Sequence, residues 1–443
     1  MINDSQLPEL SHYRLAELGL PLVTDTHFGE LVSPHFNETS PIHRWFRFKE
    51  SFSAALVKRV VRDAAASLGS NLRLLDPYCG VGTSLLASQQ LHDIRVDATG
   101  IEYNPFIHFV AHTKCGWPLI SPVDLLSEAT RALEIRPTSV SIPKTDSLRS
   151  GRCMSHHTAR RIISIRNYLA SINPSGTTAA LLLGLAGAVE SLSRTRKDGR
   201  ALRLVERGRI NVRETLRQRW QMIADDVAFM KAIQVPWKTP LVLRGDGRTP
   251  SRLGLEPETF DVIVTSPPYP NNIDYTEVYK LELWLLGLVH DASEFLTLRR
   301  GTFRSHPTTA REAPTPEFLS EVRQGKLRSL FLPLVERTKE MPHPWRSRLL
   351  LGYFDDLYKA LKEYMLLLRP GGMAFFVVGN SLHGGADDPY LIPTDLILAE
   401  LARTCGFGIE RVVVARGSKR RLSGNHFLRE TVVVLRKPGV RGD

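Results

Sequence analysis

The chain has no run of about eighteen apolar residues, so no helical membrane span is expected. Its longest apolar patch, Ala179 to Val189, is shorter and carries two glycines. The opening MINDSQLPEL lacks a basic stretch followed by an apolar one and does not read as a secretory signal. Cysteine is scarce: there are four, at 79, 115, 153 and 405, and none forms a CxxC pair. That argues against a zinc ribbon or a redox dithiol. A reducing compartment is the simple reading, so the protein is expected in the cytoplasm. Acidic residues are outnumbered, 46 against 58 Lys and Arg, for a net charge of +12 and a pI of about 9.6. Such a balance fits a polyanion binder or a merely basic surface. The rest of the composition, 42% hydrophobic and 23% charged, is that of a globular protein.

The 443 residues correspond to about three domain-sized units, or to one domain carrying long insertions. Periodicity favours the second. RLLDP (73–77) reads as a buried strand, YCGVGT (78–83) as a glycine turn, SLLASQQL (84–91) as a helix and VDATGIE (96–102) as a second strand. This alternation opens a doubly wound α/β sheet. It then breaks: 119–235 reads as mainly helical. Strands resume at PLVLRGD (240–246) and FDVIVTS (260–266), with a helix expected over 274–288. Residues 289–350 read as irregular, as do 1–40. A helix over 352–368, a strand MAFFVVG (373–379) and a helix over 394–405 follow. Two last strands, 409–416 and 428–437, have no helix between them and should pair antiparallel. The expected organisation is one catalytic domain in two pieces, 1–118 and 236–443. The basic insertion 119–235 is the candidate for target recognition, and 289–350 interrupts the second piece.

Chemistry concentrates at strand ends. Gly80 and Gly82 sit between a strand and a helix, where glycine permits a sharp turn and close approach of a ligand. No GK[ST] follows, and Leu85 stands where GxGxxG needs glycine, so both phosphate-binding patterns fail. A cofactor without a pyrophosphate is implied. Glu102 ends the second strand, placed to accept both ribose hydroxyls of a nucleoside. Asp246 in RGDGR is either an acceptor for an adenine amine or an ordinary turn aspartate. After FDVIV comes TSPPYP, and two adjacent prolines end a strand. The oxygens of Ser266 and Pro267 are candidate acceptors for the hydrogens of an amine. Pro267 and Pro268 would hold them rigid, and Tyr269 offers a face for a base.

LLDPYCGVGTS, GIEYNP and FDVIVTSPPY, in that order, resemble the S-adenosylmethionine-dependent amino-methyltransferases of DNA. The SPPY form is similar to that of enzymes making N4-methylcytosine. The resemblance covers the two α/β pieces and extends to HRWFRFKESFS (43–53). It implies a seven-stranded, mostly parallel Rossmann-like sheet with a C-terminal antiparallel hairpin and a helical insertion. It implies S-adenosylmethionine held by Asp76, Tyr78, Cys79, Gly80, Gly82, Thr83, Glu102, Tyr103, Asn104 and Asp246. Catalysis would rest on Ser266, Pro267, Pro268 and Tyr269. His43 and Trp45 would either close the cofactor pocket or pack as core, and Tyr275 would cover base or cofactor. The sulfonium supplies the electrophile, so the reaction calls for no metal. C5 methylation of cytosine is disfavoured because no Pro-Cys pair exists. Adenine N6 methylation, RNA methylation and a silent nucleic-acid-binding subunit stay open.

Double-stranded DNA is the expected partner, at the nucleoid, with a cognate restriction endonuclease or a defence protein as a further one. Arginine suits phosphate contact and reading of guanine. Arg194, Arg196, Lys197, Arg200 and Arg203, within SRTRKDGR and its flank, are the leading candidates, and that segment reads as a loop. Arg207, Arg209, Arg213, Arg217 and Arg219 continue the basic run, with a solvated helix face as the alternative. Arg299, Arg300 and Arg304, in a second expected loop, and RGSKRR (416–421) complete the set.

Overall fold

The apolar runs that read as strands converge on one sheet. The computed structural model describes residues 7, 9–25, 27–198, 202–208, 210–310, 312–339, 345–384, 389–417 and 426–439. The sheet strands are β1 (Leu22–Thr24), β2 (Asn71–Asp76), β3 (Arg95–Glu102), β4 (Leu241–Arg244), β5 (Phe260–Thr265), β6 (Leu368–Gly379), β7 (Gly408–Gly417) and β8 (Arg429–Arg436). Their spatial order is β1-β7-β8-β6-β5-β2-β3-β4. Neighbours are parallel except around β8, which runs antiparallel to both β6 and β7. This is a doubly wound Rossmann-like sheet with the expected C-terminal hairpin. It has eight strands rather than seven. The extra one, β1, is three residues long and exposed throughout, too short to show a period.

The central strands are apolar without alternation because both faces are covered. All six residues of β5 are buried. Leu74, Val262, Val264 and Phe375 feed one core, while Leu75, Ile263, Ala374 and Phe376 feed the other. Helices α1 (Leu10–Glu17), α2 (Ala54–Leu68), α3 (Thr83–Ser88) and α4 (Pro105–Cys115) belong to the first segment. Ser53 caps α2 by accepting from Leu56 N at 3.2 Å. Asn104 caps α4, with Pro105 at its first position.

Residues 119–235 hold α5 (Pro122–Glu134), α6 (His156–Ser171), α7 (Gly176–Leu192) and α8 (Val212–Ala232). Trp220 of α8 is fully buried and donates to Leu181 O at 2.9 Å. The segment read as a loop is instead a β-ribbon. Thr195–Lys197 pairs antiparallel with Leu202–Leu204, and Arg196 lies opposite Arg203. Residues 289–350 also depart from expectation, containing α9 (Ala292–Gly301) and α10 (Gly325–Lys339). Pro333 inside α10 reads as a breaker, yet Leu327, Leu330, Phe331 and Leu334 form a buried helical stripe. Residues 1–40, read as irregular, supply α1 and β1. The helix expected over 274–288 is two short ones, Tyr275–Val278 and Lys280–Leu285. The long helix α11 (Trp345–Leu367) and α12 (Thr394–Thr404) complete the frame. Among the described residues, no helix is long and apolar enough to cross a membrane. Among them too, no cluster of His, Cys, Asp and Glu could hold a metal ion.

Candidate active site and nucleic-acid interface

Because β2 to β5 are parallel neighbours, their C-terminal ends share one edge of the sheet. The glycine turn follows β2, Glu102 ends β3, Asp246 follows β4 and Ser266 follows β5. Gly80 and Gly82 adopt φ of 53° and 83°, the left-handed region where a side chain is disfavoured. Asp76 is the staple of this turn: its carboxylate accepts from Tyr78 N at 3.1 Å and from the Ser84 hydroxyl. Burial lifts its pKa to about 6, against the pull of those bonds. Cys79 is buried, and its N–H donates to Ile101 O at 3.0 Å. The Thr83 hydroxyl accepts from Ser51 Oγ at 3.0 Å.

Burial raises Glu102 to about 7. Hydrogen bonds from the backbone of Asn104, Gly80 and Tyr103 pull the other way, and the nearby Asp76 pushes further up. The Asn104 N–H lies 2.7 Å from its carboxylate. The side-chain oxygen of Asn104 is committed to Phe106 N and Ile107 N, but its Nδ2 is buried without a partner. Tyr103 packs against Gly301, and the Tyr78 ring meets Phe303 edge-on at 5.8 Å. Asp246 caps its own turn, accepting from Arg248 N at 2.9 Å, and forms a 2.7 Å ion pair with the Arg248 guanidinium. Arg248 also binds Asp356 at 2.8 Å. The turn-aspartate role is the one with contacts on it.

Beyond β5, the Tyr269 ring lies on the backbone of Gly379 at the end of β6. Burial, and secondarily Glu430, raises the Tyr269 phenol, while a hydrogen bond to Ser266 lowers it. Tyr275 bonds the backbone of Tyr269, and burial first, then Glu50, raises its phenol; its carbonyl accepts from Tyr279 N at 3.2 Å. Glu50 accepts from the Tyr279 hydroxyl at 2.9 Å, and Tyr279 stacks on Phe48 at 5.6 Å. A Cβ on Gly80 would stand 3.3 Å from the Phe48 ring. A relay of contacts thus joins the SPPY loop to the glycine turn. Beside that turn, Val81, Thr83, His43, Phe46 and Phe48 line a cavity of about 200 Å³. His43 and Trp45 are both buried. Burial first, then Lys114, lowers His43 to about 3, so it is a neutral packed ring. Trp284 is likewise core.

An open cleft of about 1020 Å³ runs from Tyr269, Gly379, Asn380 and Ser381 to Arg196, Arg203 and Arg416. The ribbon alternates: Arg194, Arg196 and Arg203 are exposed, whereas Lys197 points inward and is buried. Lys197 borders the cleft, but its ammonium is committed to Glu282 at 2.5 Å, so it is not free to grip phosphate. Arg304 is a second correction: it is buried and salt-bridged to Asp355 at 2.5 Å and Asp356 at 2.6 Å. Arg299 pairs with Asp274 at 2.7 Å, while Arg300 is exposed. Arg213 and Arg217 pair with Glu134 and Glu214, as a solvated helix face would. Arg200, Arg209 and Lys419 to Arg421 lie outside the described residues.

Reading the sequence did not single out Asp226, on α8. It accepts from Ile42 N at 3.0 Å and Trp45 Nε1 at 2.9 Å and pairs with Arg44 at 2.5 Å. It thus locks the insertion to the HRWF segment. No short motif marks it; only the fold brings the two together.

No known family profile matches the chain. Type II methyltransferase M.BsoBI of Geobacillus stearothermophilus is 25% identical, over 97% of this chain and 93% of its own. Type II methyltransferase M.AvaI of Nostoc sp. (strain PCC 7120) is 27% identical, over 92% of this chain and 89% of its own. The chain is a relative of the type II methyltransferases. The alignment spans both sheet segments and the insertions, so the likeness extends beyond the motif-bearing loops. Among solved structures, TrmN from Thermus thermophilus has a TM-score of 0.29 at 11% identity, over 87% of this chain and 48% of that one. The [4+2]-cyclase SpnF has a TM-score of 0.32 at 11% identity, over 95% and 100%. The fold assignment stands on the strand order, not on these two.

Proposed function

We propose that this relative of the type II methyltransferases transfers a methyl group from S-adenosylmethionine to the exocyclic N4 amine of cytosine in a specific sequence of double-stranded DNA. One observation carries the reading: Tyr269 of the SPPY loop and the exposed Arg196 and Arg203 of the ribbon face a single cleft. The glycine turn lies on the same sheet edge, one contact relay away.

The cofactor fits the residues at that edge. Two left-handed glycines open the turn, Glu102 stands ready for ribose hydroxyls, and the unpartnered Nδ2 of Asn104 lies beside them. When bound, S-adenosylmethionine supplies an electrophilic methyl group on a sulfonium. The cytosine amine is a weak nucleophile because its lone pair is delocalised into the ring. Ser266 Oγ and the Pro267 carbonyl would accept its two hydrogens and turn the lone pair outward. Pro267 and Pro268 fix the loop, so the acceptors are in place before the base arrives. Extruding the base costs a few kcal/mol, offset by stacking on Tyr269 and by contacts at its edge. The phenol of Tyr269 stays protonated at neutral pH, so no charge is added under the base. Arg194, Arg196 and Arg203 would hold the phosphates. The likeness to type II methyltransferases supports a place in a restriction–modification system; a cognate endonuclease or a defence protein would be its functional partner.

The test is labelled S-adenosylmethionine with mixed-sequence DNA, digested to nucleosides. Label in N4-methyl-2′-deoxycytidine is expected. Label in N6-methyl-2′-deoxyadenosine overturns the base, and no label overturns the activity; an RNA arm distinguishes the polymer. Ser266→Ala should lower turnover by about a hundredfold or more, the range for loss of a positioned proton acceptor, while leaving cofactor affinity near wild type. Equal loss of both would show that the serine acts on cofactor binding.

A further inference from the structure

Two neighbours on the ribbon face opposite ways. Arg196 is exposed and lines the cleft. Lys197 turns inward, and its ammonium lies 4.4 Å from the centre of the Tyr279 ring and 5.0 Å from that of Phe46. It also pairs with Glu282 at 2.5 Å, and its carbonyl accepts from Lys49 Nζ at 2.6 Å. Phe46, Phe48 and Lys49 all belong to the segment that covers the glycine turn.

An ammonium and a carboxylate this deeply placed are costly to separate, because each is left without water or partner. The second oxygen of Glu282 is already buried and unpaired, so among the described residues Lys197 is the one ion-pair partner that neutralises it in place. The ribbon cannot lift without uncovering Glu282 and withdrawing a cation from two aromatic faces. Tyr279, one of those faces, stacks on Phe48 over Gly80. The seat of the ribbon and the cover of the turn are thus one packed unit.

We propose that Lys197 is a positioning residue that couples the two binding sites, so that DNA held on the ribbon tightens cofactor binding at the glycine turn. The proposal rests on the methyltransferase reading. Coupling of this kind is reciprocal: the cofactor tightens DNA by the same factor.

The experiment measures the Kd of S-adenosylhomocysteine by calorimetry, without and with saturating sheared mixed-sequence duplex. In the wild type the duplex lowers Kd about fivefold or more, the range of ordinary coupling. In Lys197→Met the ratio falls to one, and Lys197→Arg restores most of it. Glu282→Gln, which breaks the pair from the other side, also loses the ratio and keeps the test open if Lys197→Met does not fold. Arg196→Ala needs more duplex to saturate but keeps the ratio. A wild-type ratio in Lys197→Met and Glu282→Gln overturns the proposal. So does a wild type that binds S-adenosylhomocysteine but gains nothing from duplex. A wild type that does not bind it at all overturns the methyltransferase reading itself, and the proposal with it.

Discussion

Substituting Gly379 by alanine tests the placement of the Tyr269 ring directly. A Cβ at Gly379 would stand 2.9 Å from Tyr269 Cε2 and 3.2 Å from Cδ2, with Glu430 Cγ at 3.5 Å. Relaxed carbon–carbon contacts lie at about 3.5–4.0 Å. The ring must therefore withdraw by roughly 0.6 Å, since Gly379 is paired with Glu430 of β8 and β6 is held by β5 as far as Phe376. Gly379 has no left-handed φ, so alanine suits the strand itself and the ring takes the whole strain. Overpacking of this sort costs about 1–3 kcal/mol, which is about five- to 150-fold if expressed in turnover. Both residues line the cleft, so a shifted ring alters the face proposed for the base. The assay is single-turnover transfer from labelled S-adenosylmethionine with DNA in excess, alongside the Kd of S-adenosylhomocysteine. Turnover should fall within that range while Kd stays within about twofold, because the glycine turn is untouched. Gly408→Ala is the control: its nearest neighbour is a carbonyl oxygen at 3.7 Å, so activity should persist. Full turnover in a folded Gly379→Ala protein would refute the claim that the ring position matters.

Glu102 should give cofactor binding a pH dependence. Its carboxyl sits near 7, above the usual carboxylate range, so it is protonated below that pH and must ionise to accept two ribose hydroxyls. The Kd of S-adenosylhomocysteine should rise toward tenfold per unit as pH drops below 7, and Glu102→Gln should bind weakly with a flat profile. A flat wild-type profile would remove Glu102 from the site. Arg196→Ala and Arg203→Ala should each reduce the slope of log K against log salt by about one in DNA binding; an unchanged slope would send the phosphates elsewhere. Arg304→Met leaves Asp355 and Asp356 without their main cation and should destabilise the fold by about 3–5 kcal/mol in a denaturant titration. DNA affinity per folded molecule should be unaffected; a specific loss of DNA binding would restore its first reading.

The sheet was legible because its strands advertise themselves. FDVIV and MAFFVVG are buried on both faces and need no alternation to be seen. The glycine turn, Glu102 and SPPY were legible because special backbone and charge stand at strand ends. The ribbon was not. In SRTRK every side chain is polar, so the inward turn of Thr195 and Lys197 leaves no hydrophobic trace. The same blindness placed Arg304 on the surface: two aspartates that bury it lie 51 and 52 positions away. β1 was missed for lack of length, and α10 because Pro333 hid a clear apolar stripe. Charge density marked candidate arginines but could not sort those that meet solvent from those that hold the protein together.

The far rim of the sheet joins residues that are distant in time as well as in sequence. Glu17 of α1 pairs with Arg429, 412 positions later, Tyr13 donates to Leu391 O, and β1 adds beside β7. During translation, residues 9–24 gain these partners only after 378 to 412 further positions have been made. A nascent chain arrested before β8 would lack the Glu17–Arg429 clasp and the strand that joins β7 to β6. Loop closure over such spans is slow, so shedding either tail should leave the opposite one adrift and a raw edge open to other chains.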